Sequence, residues 1–108
     1  MGLKIYWTEF AETELEKIFK HYKAKAGVRI AKKLVNGILN EPKILENNYE
    51  IGQREELLIH KKENFRYLIF KSYKIIYHFN ESENRIDIND IFDTRQYPLK
   101  IKRNDKSH

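Results

Sequence analysis

The sequence predicts a small α+β domain with the element order β-α-α-β-β-β-β, in which a helical hairpin covers one face of a small antiparallel sheet. Apolar residues recur every three or four positions up to about residue 39, and from residue 56 onward they recur mostly at every second position. The links between these segments are short. At 108 residues the chain has the usual length of one domain. We therefore expect a single domain over residues 1–98, followed by a basic tail over residues 99–108.

The first elements are a short strand and a long helix. Residues 3–7 contain β-forming side chains in an alternating pattern, which is typical of a strand. Thr8 can cap the helix that follows, and Glu9 and Glu12 favour its first turn. This helix runs to about Lys25, and one of its faces carries apolar residues at helical spacing, namely Ala11, Leu15, Ile18, Phe19 and Tyr22.

A second helix follows a break at Gly27. It runs from about Val28 to Leu39 and ends near Asn40, because Pro42 disfavours a helical conformation at the residue before it. Its buried stripe consists of Ala31, Leu34, Val35 and Ile38, with Lys32 and Lys33 on the other side. So short a break between two helices predicts an antiparallel helical hairpin.

Four strands are expected after the helices, because the apolar period changes to two. They cover residues 56–62, 65–71, 73–80 and 85–93. We expect residues 43–53 to form a loop, with or without one helical turn. Residues 80–84 make a favourable turn, whereas Lys71–Ser72 is a poor one, since tight hairpin turns prefer Asn or Gly. Strands joined by such short links pair antiparallel.

The composition excludes several kinds of site. The chain has no cysteine, which excludes disulfides, thiolate catalysis and cysteine-based zinc sites. Its four histidines lack metal-ligand spacing and its four glycines are scattered singly, so we expect no metal and no cofactor. No apolar run approaches the roughly 20 residues of a membrane span, and the N-terminus lacks the features of a signal peptide. We therefore expect a cytoplasmic protein with no membrane partner.

The chain is basic, with 21 Lys and Arg residues against 16 Asp and Glu residues and a formal net charge of +5. Such an excess favours an acidic partner, such as nucleic acid, a ribosome or an acidic protein surface. An ordinary lysine-rich surface exposed to solvent is the alternative.

Strand alternation places Lys74, His78 and Arg95 on one face of the sheet. The helical hairpin must cover the more apolar face, so these three side chains are expected on the open face, where a polyanion could dock. Arg66 could join them if its strand pairs in that register. The alternation of the last strand is interrupted twice, and a slip of one residue would invert the assignment.

Each candidate residue also has an ordinary structural explanation. Arg95 could pair with Asp93 or Asp90 and fix the turn after the last strand. Lys74 could be an exposed strand lysine, which is a common residue on a solvent-facing surface. His78 could serve packing or solvation, as a lone histidine on a half-apolar strand usually does.

Two stretches, FRYLIFKSYKIIYHF and RIDINDIFDTRQYP, together with the preceding helical hairpin, resemble the RelE/ParE superfamily of bacterial toxins. These proteins belong to type II toxin–antitoxin modules and are often described as plasmid-stabilisation proteins. The similarity covers roughly residues 3–98, and the segments YLIFKSYKIIYHF and FDTRQ look more like the ParE branch. The resemblance implies a small antiparallel sheet that cradles two helices and has a concave, basic second face.

The resemblance implies one of two activities. ParE-like members poison DNA gyrase and have no assigned catalytic residues, whereas RelE-like members cleave messenger RNA in the ribosomal decoding site without a metal. That cleavage needs an activated 2′-hydroxyl, a cation on the phosphate and a donor for the leaving oxygen. Lys74 and Arg95 occupy the places of two family arginines, and Arg66 stands near the place of strand lysines. RelE-like ribonucleases usually have a Tyr or His several residues beyond the last arginine, whereas this chain has Tyr97 only two residues on, followed by Pro98.

The resemblance therefore favours a ParE-like toxin that inhibits growth by engaging DNA gyrase. A cognate antitoxin would neutralise it, and the two proteins would form a hetero-oligomer. Two alternatives stay open: a ribosome-dependent mRNA endonuclease with Lys74 and Arg95 as catalytic residues, and a non-toxic family member that acts as a binding module. Whether the chain is an enzyme is thus undecided. The residues expected to bind the nucleic acid or protein target are Arg66, Lys74, His78 and Arg95.

Overall fold

The computed structural model describes residues 2–95, which contain two α-helices and five strands in the predicted order. The helices are α1 (Glu9–Ala26) and α2 (Val28–Asn40), and the strands are β1 (Lys4–Trp7), β2 (Gln53–Arg54), β3 (Arg66–Phe70), β4 (Tyr73–Asn80) and β5 (Arg85–Asp93). Two short 3-10 helices, Glu41–Glu46 and Glu56–Leu58, lie on either side of β2. No helix in the described part of the chain is long and apolar enough to cross a membrane. The predicted basic tail, residues 99–108, lies outside the described residues.

The strands form one mixed sheet in the order β1-β5-β4-β3-β2. Strands β2 to β5 pair antiparallel as predicted, whereas β1 pairs parallel with β5. A parallel pair needs a long crossover connection, which the helices and the middle strands provide. Thr8 fastens the end of β1 to β5, because its backbone N–H and its hydroxyl both donate to the carbonyl oxygen of Ile88, at 3.1 and 2.9 Å. The expectation of a wholly antiparallel sheet is corrected at this edge.

The helical hairpin begins and turns where the sequence predicted. The hydroxyl oxygen of Thr8 caps α1 by accepting a hydrogen bond from the backbone N–H of Ala11 at 3.1 Å. Gly27 separates the helices with a φ of 97°, a backbone conformation that residues other than glycine rarely adopt. Both helices pack on one face of the sheet around a core of buried residues, which comprises Ala11, Leu15, Ile38, Leu45, Tyr73, Ile75, Tyr77, Ile86, Ile88 and Ile91.

Residues 56–62 do not form the strand that the sequence predicted. The segment begins with a 3-10 helix, and the short strand β2 lies before it. The carboxylate of Glu55 caps this turn by accepting the backbone N–H of Leu57 at 3.2 Å. Leu58 is buried, whereas Leu57 and Ile59 are exposed. The segment thus buries one side chain, as a tight turn can. A half-buried strand would bury every second side chain.

Strand β5 contains a β-bulge that reverses the direction of the side chains after it. Two successive residues of β4 pair with Ile88 and Asp90, which leaves Asn89 without a partner on β4. The extra residue places Ile91 in the same helix-covered core as Ile88, although the two are three positions apart. Regular alternation, which placed Phe92 with Ile88, is therefore wrong beyond the bulge.

The second face of the sheet is not open as predicted. A second apolar cluster lies on it, consisting of Leu58, Phe65, Ile76 and Phe92 with Tyr67 packed against them. Two of these residues come from the segment between β2 and β3, residues 55–65. This segment therefore covers part of the face that was expected to be concave and basic.

Candidate functional site

Lys74 lies on the second face as predicted, but it is held by an ion pair beneath the β2–β3 segment. Its Nζ is 2.7 Å from Oε1 of Glu55, and the two side chains are only 19% and 4% exposed. The same ammonium lies 4.1 Å from the centre of the Tyr67 ring, in a cation–π contact. The positive charge of Lys74 is therefore already compensated within the chain.

Arg95 lies on the helix-covered side, which corrects the prediction that it stands beside Lys74 on an open face. Beyond the bulge, Asp93 pairs with Tyr73, whose side chain belongs to the core under the helices. The guanidinium of Arg95 binds both carboxylate oxygens of Asp93, with Nε–Oδ1 and Nη2–Oδ2 distances of 2.9 and 2.6 Å. Its guanidinium also interacts with the hydroxyl of Tyr22 on α1, and both residues line one cavity. The structure therefore has the alternative arrangement, in which Arg95 pairs with Asp93 at the turn after β5.

This cluster shifts the protonation of its members. The hydrogen bonds from Arg95 lower the pKa of the Asp93 carboxyl, and the same contact raises the pKa of the guanidinium. A hydrogen bond from Tyr73, together with the nearby Arg95, lowers the pKa of the Tyr22 hydroxyl. Burial raises the pKa of the Tyr73 hydroxyl. Asp93 and Arg95 thus form an ion pair at the end of β5, and Arg95 interacts in addition with Tyr22 of α1.

Arg66 anchors the loop before β2. It pairs with Tyr77 across β3 and β4, which places it on the helix-covered side and not on the face of Lys74. Its Nη1 donates to the carbonyl oxygens of Gly52 and Glu50, at 2.8 and 3.3 Å. Its Nε is buried and has no hydrogen-bond partner among residues 2–95. The register in which Arg66 would join Lys74 is therefore not the one adopted.

His78 shares the face of Lys74, as the alternation predicted. Its Nδ1 lies 2.9 Å from Oδ1 of Asn89, and its ring meets the ring of Phe65 edge-on, with 5.3 Å between the ring centres. His78 and Arg66 also line a common cavity of about 760 Å³ at one end of the sheet. The contacts of His78 with Asn89 and Phe65 are those of a histidine that serves packing.

The four predicted site residues do not converge on one point. Lys74 and His78 share a face, Arg66 and His78 share a cavity, and Arg95 lies against α1. The arrangement offers no paired cations for a single phosphate. Within residues 2–95 no group of three or more His, Cys, Asp or Glu side chains could hold a metal ion.

Sequence reasoning missed a groove between α2 and the β3–β4 turn, which we call the α2 groove. It has a volume of about 910 Å³, and the residues that line it are Tyr22, Arg29, Ile30, Lys32, Lys33, Leu34, Asn36, Gly37, Asn40, Phe70, Lys71, Ser72 and Tyr73. A Cβ atom at Gly37 would collide with the ring of Phe70, so this glycine lets the hairpin approach the helix. A glycine inside a helical pattern signals such close packing, and it was the one clue in the sequence.

A second groove, which we call the hairpin groove, lies between α1 and α2 near β1. It has a volume of about 520 Å³, and its lining is mainly apolar: Trp7, Leu15, Phe19, Val35 and Leu39, with Glu12 and Glu16 beside them. These positions come from both helices. The groove forms an apolar rim along the helical pair.

The sequence matches the family described as ParE toxin of type II toxin-antitoxin system, parDE, over residues 5–98. Among solved structures, a chain of the chromosomal ParDE toxin–antitoxin system from P. aeruginosa superposes with a TM-score of 0.69 at 22% identity, over 84% of this chain and 95% of that chain. The isolated E. coli RelE toxin is more distant, with a TM-score of 0.46 at 13% identity over 98% and 99% of the two chains. No curated protein sequence matches the chain. The described fold is thus that of the ParDE chain.

Proposed function

The chain belongs to the family of ParE toxins of type II toxin–antitoxin systems, and on this premise we propose that it inhibits growth by binding DNA gyrase in the cytoplasm. We further propose that a cognate antitoxin neutralises it by forming a toxin–antitoxin hetero-oligomer. The observation that carries the proposal is the family match, which spans residues 5–98 and so nearly the whole described chain.

The placement of the charged residues supports binding over RNA cleavage. Cleavage at a 2′-hydroxyl needs a cation on the phosphate and a proton acceptor or donor within hydrogen-bond reach of the same atoms. Lys74 is paired with a buried carboxylate under one face of the sheet, whereas Arg95 is bonded to Asp93 on the other side. This separation of the two residues named for catalysis supports a binding mechanism over cleavage of RNA by Lys74 and Arg95.

The hairpin groove supports the proposed neutralisation. Contiguous apolar surface with polar residues around it is typical of a protein interface. The groove draws on side chains from both helices and from β1, so one bound segment would contact all three elements. An antitoxin seated there would cover the helical pair and would block access to it.

A supercoiling assay tests the proposed target. Purified protein added to gyrase, relaxed plasmid and ATP is expected to inhibit supercoiling or to trap cleaved DNA, with an effect that rises with protein concentration. Induction of the chain alone in a bacterium is expected to stop growth and to induce the DNA-damage response. Co-expression with a cognate antitoxin is expected to restore growth.

A translation reaction with a reporter mRNA is the matched assay for the other target. Cuts within codons together with unchanged gyrase activity would contradict the proposal and favour the endonuclease. Continued growth on induction of a well-expressed, folded protein would contradict it in favour of the non-toxic binding module.

A further inference from the structure

The α2 groove combines an apolar floor with a rim of cations. Ile30 is 53% exposed, which is unusual for an isoleucine in a helix whose other face is packed, and Leu34 and Phe70 are partly buried beside it. An exposed apolar floor inside a groove of about 910 Å³ is a feature of binding sites for other molecules.

The rim cations have no counter-ions within the described chain. Arg29, Lys32, Lys33 and Lys71 make no ion pair with any residue from 2 to 95, whereas Lys17 and Lys20 on α1 pair with glutamates of their own helix. Four like charges around one groove repel one another, and an acidic ligand would relieve that repulsion. The electrostatic field of the groove therefore selects for negative charge.

The groove is a fixed part of the fold. Phe70 ends β3 and packs against the backbone of α2 at Gly37, where any larger residue would displace its ring. Lys71 follows in the turn with a φ of 54°, so the backbone conformation of the turn carries this cation at the groove. The cations and the floor are thus positioned before any ligand arrives, which lowers the entropic cost of binding.

We infer that the α2 groove binds an acidic, amphipathic peptide segment of a partner protein. The inference rests on the proposed function, since the partner in view is the antitoxin, and it adds a site and a chemistry to that contact. A helical segment with apolar residues three and four positions apart would fill the floor, and its Asp and Glu residues would meet the rim. This site is separate from the hairpin groove on the other side of α2.

The chemistry of the floor decides between this occupant and others. The phosphates of a nucleic acid would use the cations but would leave Ile30 in contact with a charged backbone. The chain's own residues 96–108 contain four Lys and Arg residues and one Asp, so their charge has the same sign as the rim. An acidic amphipathic peptide satisfies both the charge and the apolar surface.

A library of random 16-residue peptides displayed on phage tests the inference without a known partner. Selection against the full chain is expected to enrich peptides that combine Asp or Glu with apolar residues at helical spacing. The double variant Lys32→Glu/Lys33→Glu is expected to weaken the selected peptides at least tenfold, and Ile30→Ser at least fivefold, as measured by fluorescence anisotropy. All three positions are exposed, so the variants should keep the thermal transition of the parent protein.

The matched control reverses two exposed charges on α1, Lys20→Glu/Lys23→Glu, and is expected to change affinity less than threefold. Equal losses in the two double variants would reduce the effect to net charge and overturn the inference. So would selected peptides that lack acidic residues, a selection that yields no binders, or a 20-base-pair DNA duplex that binds the groove more tightly than the peptides. Inhibition of gyrase supercoiling is measured separately. The absence of peptide binding to the α2 groove can therefore be distinguished from a wrong assignment of the target.

Discussion

At the end of β5, Arg95 makes several contacts that set the direction in which the chain leaves the sheet. Its backbone N–H donates to Oδ1 of Asp93 at 2.9 Å, its guanidinium binds the same carboxylate, and Tyr22 adds a contact from α1. Exposed ion pairs usually contribute little to stability, but this one is bidentate, and its guanidinium also interacts with Tyr22 of α1. We regard Arg95 as a structural residue whose loss would loosen the junction between β5 and α1.

The lowered pKa of Asp93 predicts how the Asp93→Asn variant responds to pH. The folded state binds a proton on Asp93 less readily than the unfolded chain, whose carboxyl has a pKa of about 3.9. The pair therefore stabilises the fold above that pH, and the contribution is lost as the pH falls through the folded pKa. We expect Asp93→Asn to lower the free energy of unfolding at pH 7, with a difference that shrinks as the pH falls below the unfolded pKa and through the folded one. Urea titrations at several pH values measure it, and a difference that does not vary with pH would contradict this account.

Among the elements, the helices and the central strands follow from local signals, whereas the bulge and β2 do not. Thr8, Gly27 and Pro42 mark the ends of the helices through capping, a positive φ and a missing N–H, all of which are properties of single residues. The bulge at Asn89 depends on how β5 pairs with β4. Ile88 and Ile91 are three positions apart, so both can lie in the core only if one residue between them is left unpaired. The spacing of those isoleucines was visible in the sequence, but it becomes decisive only once the pairing partner is known.

Deletion of Asn89 tests the role of the bulge. Without Asn89, Ile88 and Ile91 would lie two positions apart, so regular pairing with β4 would keep both side chains in the helix-covered core. We therefore expect the deletion to keep the fold and to lower the free energy of unfolding by about 1 kcal/mol, through the lost contact with His78. The control Asn89→Ala loses the same contact but keeps the length of the strand, so we expect a similar loss. Chemical denaturation measures both variants. A loss of about 2–5 kcal/mol on deletion alone, the range observed when a buried isoleucine site is emptied, would show that the bulge itself is needed to place Ile91.

The two-residue strand β2 depends on the loop before it, which Tyr77 holds in place. The hydroxyl of Tyr77 accepts the backbone N–H of Gly52 at 2.9 Å and donates to the carbonyl oxygen of Tyr49 at 2.7 Å. A Cβ atom at Gly52 would collide with that hydroxyl and lie 2.6 Å from the carbonyl oxygen of Tyr67. Close approach to a buried tyrosine and to backbone explains why glycine occupies this position.

Gly52→Ala is therefore expected to destabilise the protein by about 1–3 kcal/mol, the usual cost of overpacking. In the Gly52→Ala/Tyr77→Phe double variant the colliding hydroxyl is absent, so we expect the two losses to be less than additive. Thermal denaturation of the two single variants and the double variant completes the cycle. Fully additive losses would mean that Gly52 and Tyr77 do not interact in the way described.

Across the whole molecule, both faces of the sheet are occupied, by the helices on one side and in part by residues 55–65 on the other. This arrangement could not be predicted, because the covering segment is irregular and, among its apolar residues, only Leu58 and Phe65 are buried against the sheet. The prediction that the sheet displays Lys74 and Arg95 together was wrong because of this covering segment and the bulge, whereas the assignments of strands β3, β4 and β5 were correct. The two grooves that we propose as recognition surfaces lie instead beside the helices.

The Lys74–Glu55 pair lets structural and catalytic roles be separated in one experiment. Lys74→Met alone leaves a buried carboxylate without its partner, so we expect a loss of about 3 kcal/mol, at the low end for a buried pair because Lys74 is partly exposed. The double variant Lys74→Met/Glu55→Gln removes both charges and keeps an oxygen that can accept the N–H of Leu57. It should regain most of the stability and should inhibit growth as strongly as the parent protein. A stable double variant that has lost its toxicity would contradict a purely structural role of Lys74 and would show that its ammonium acts at the target, in binding or in catalysis.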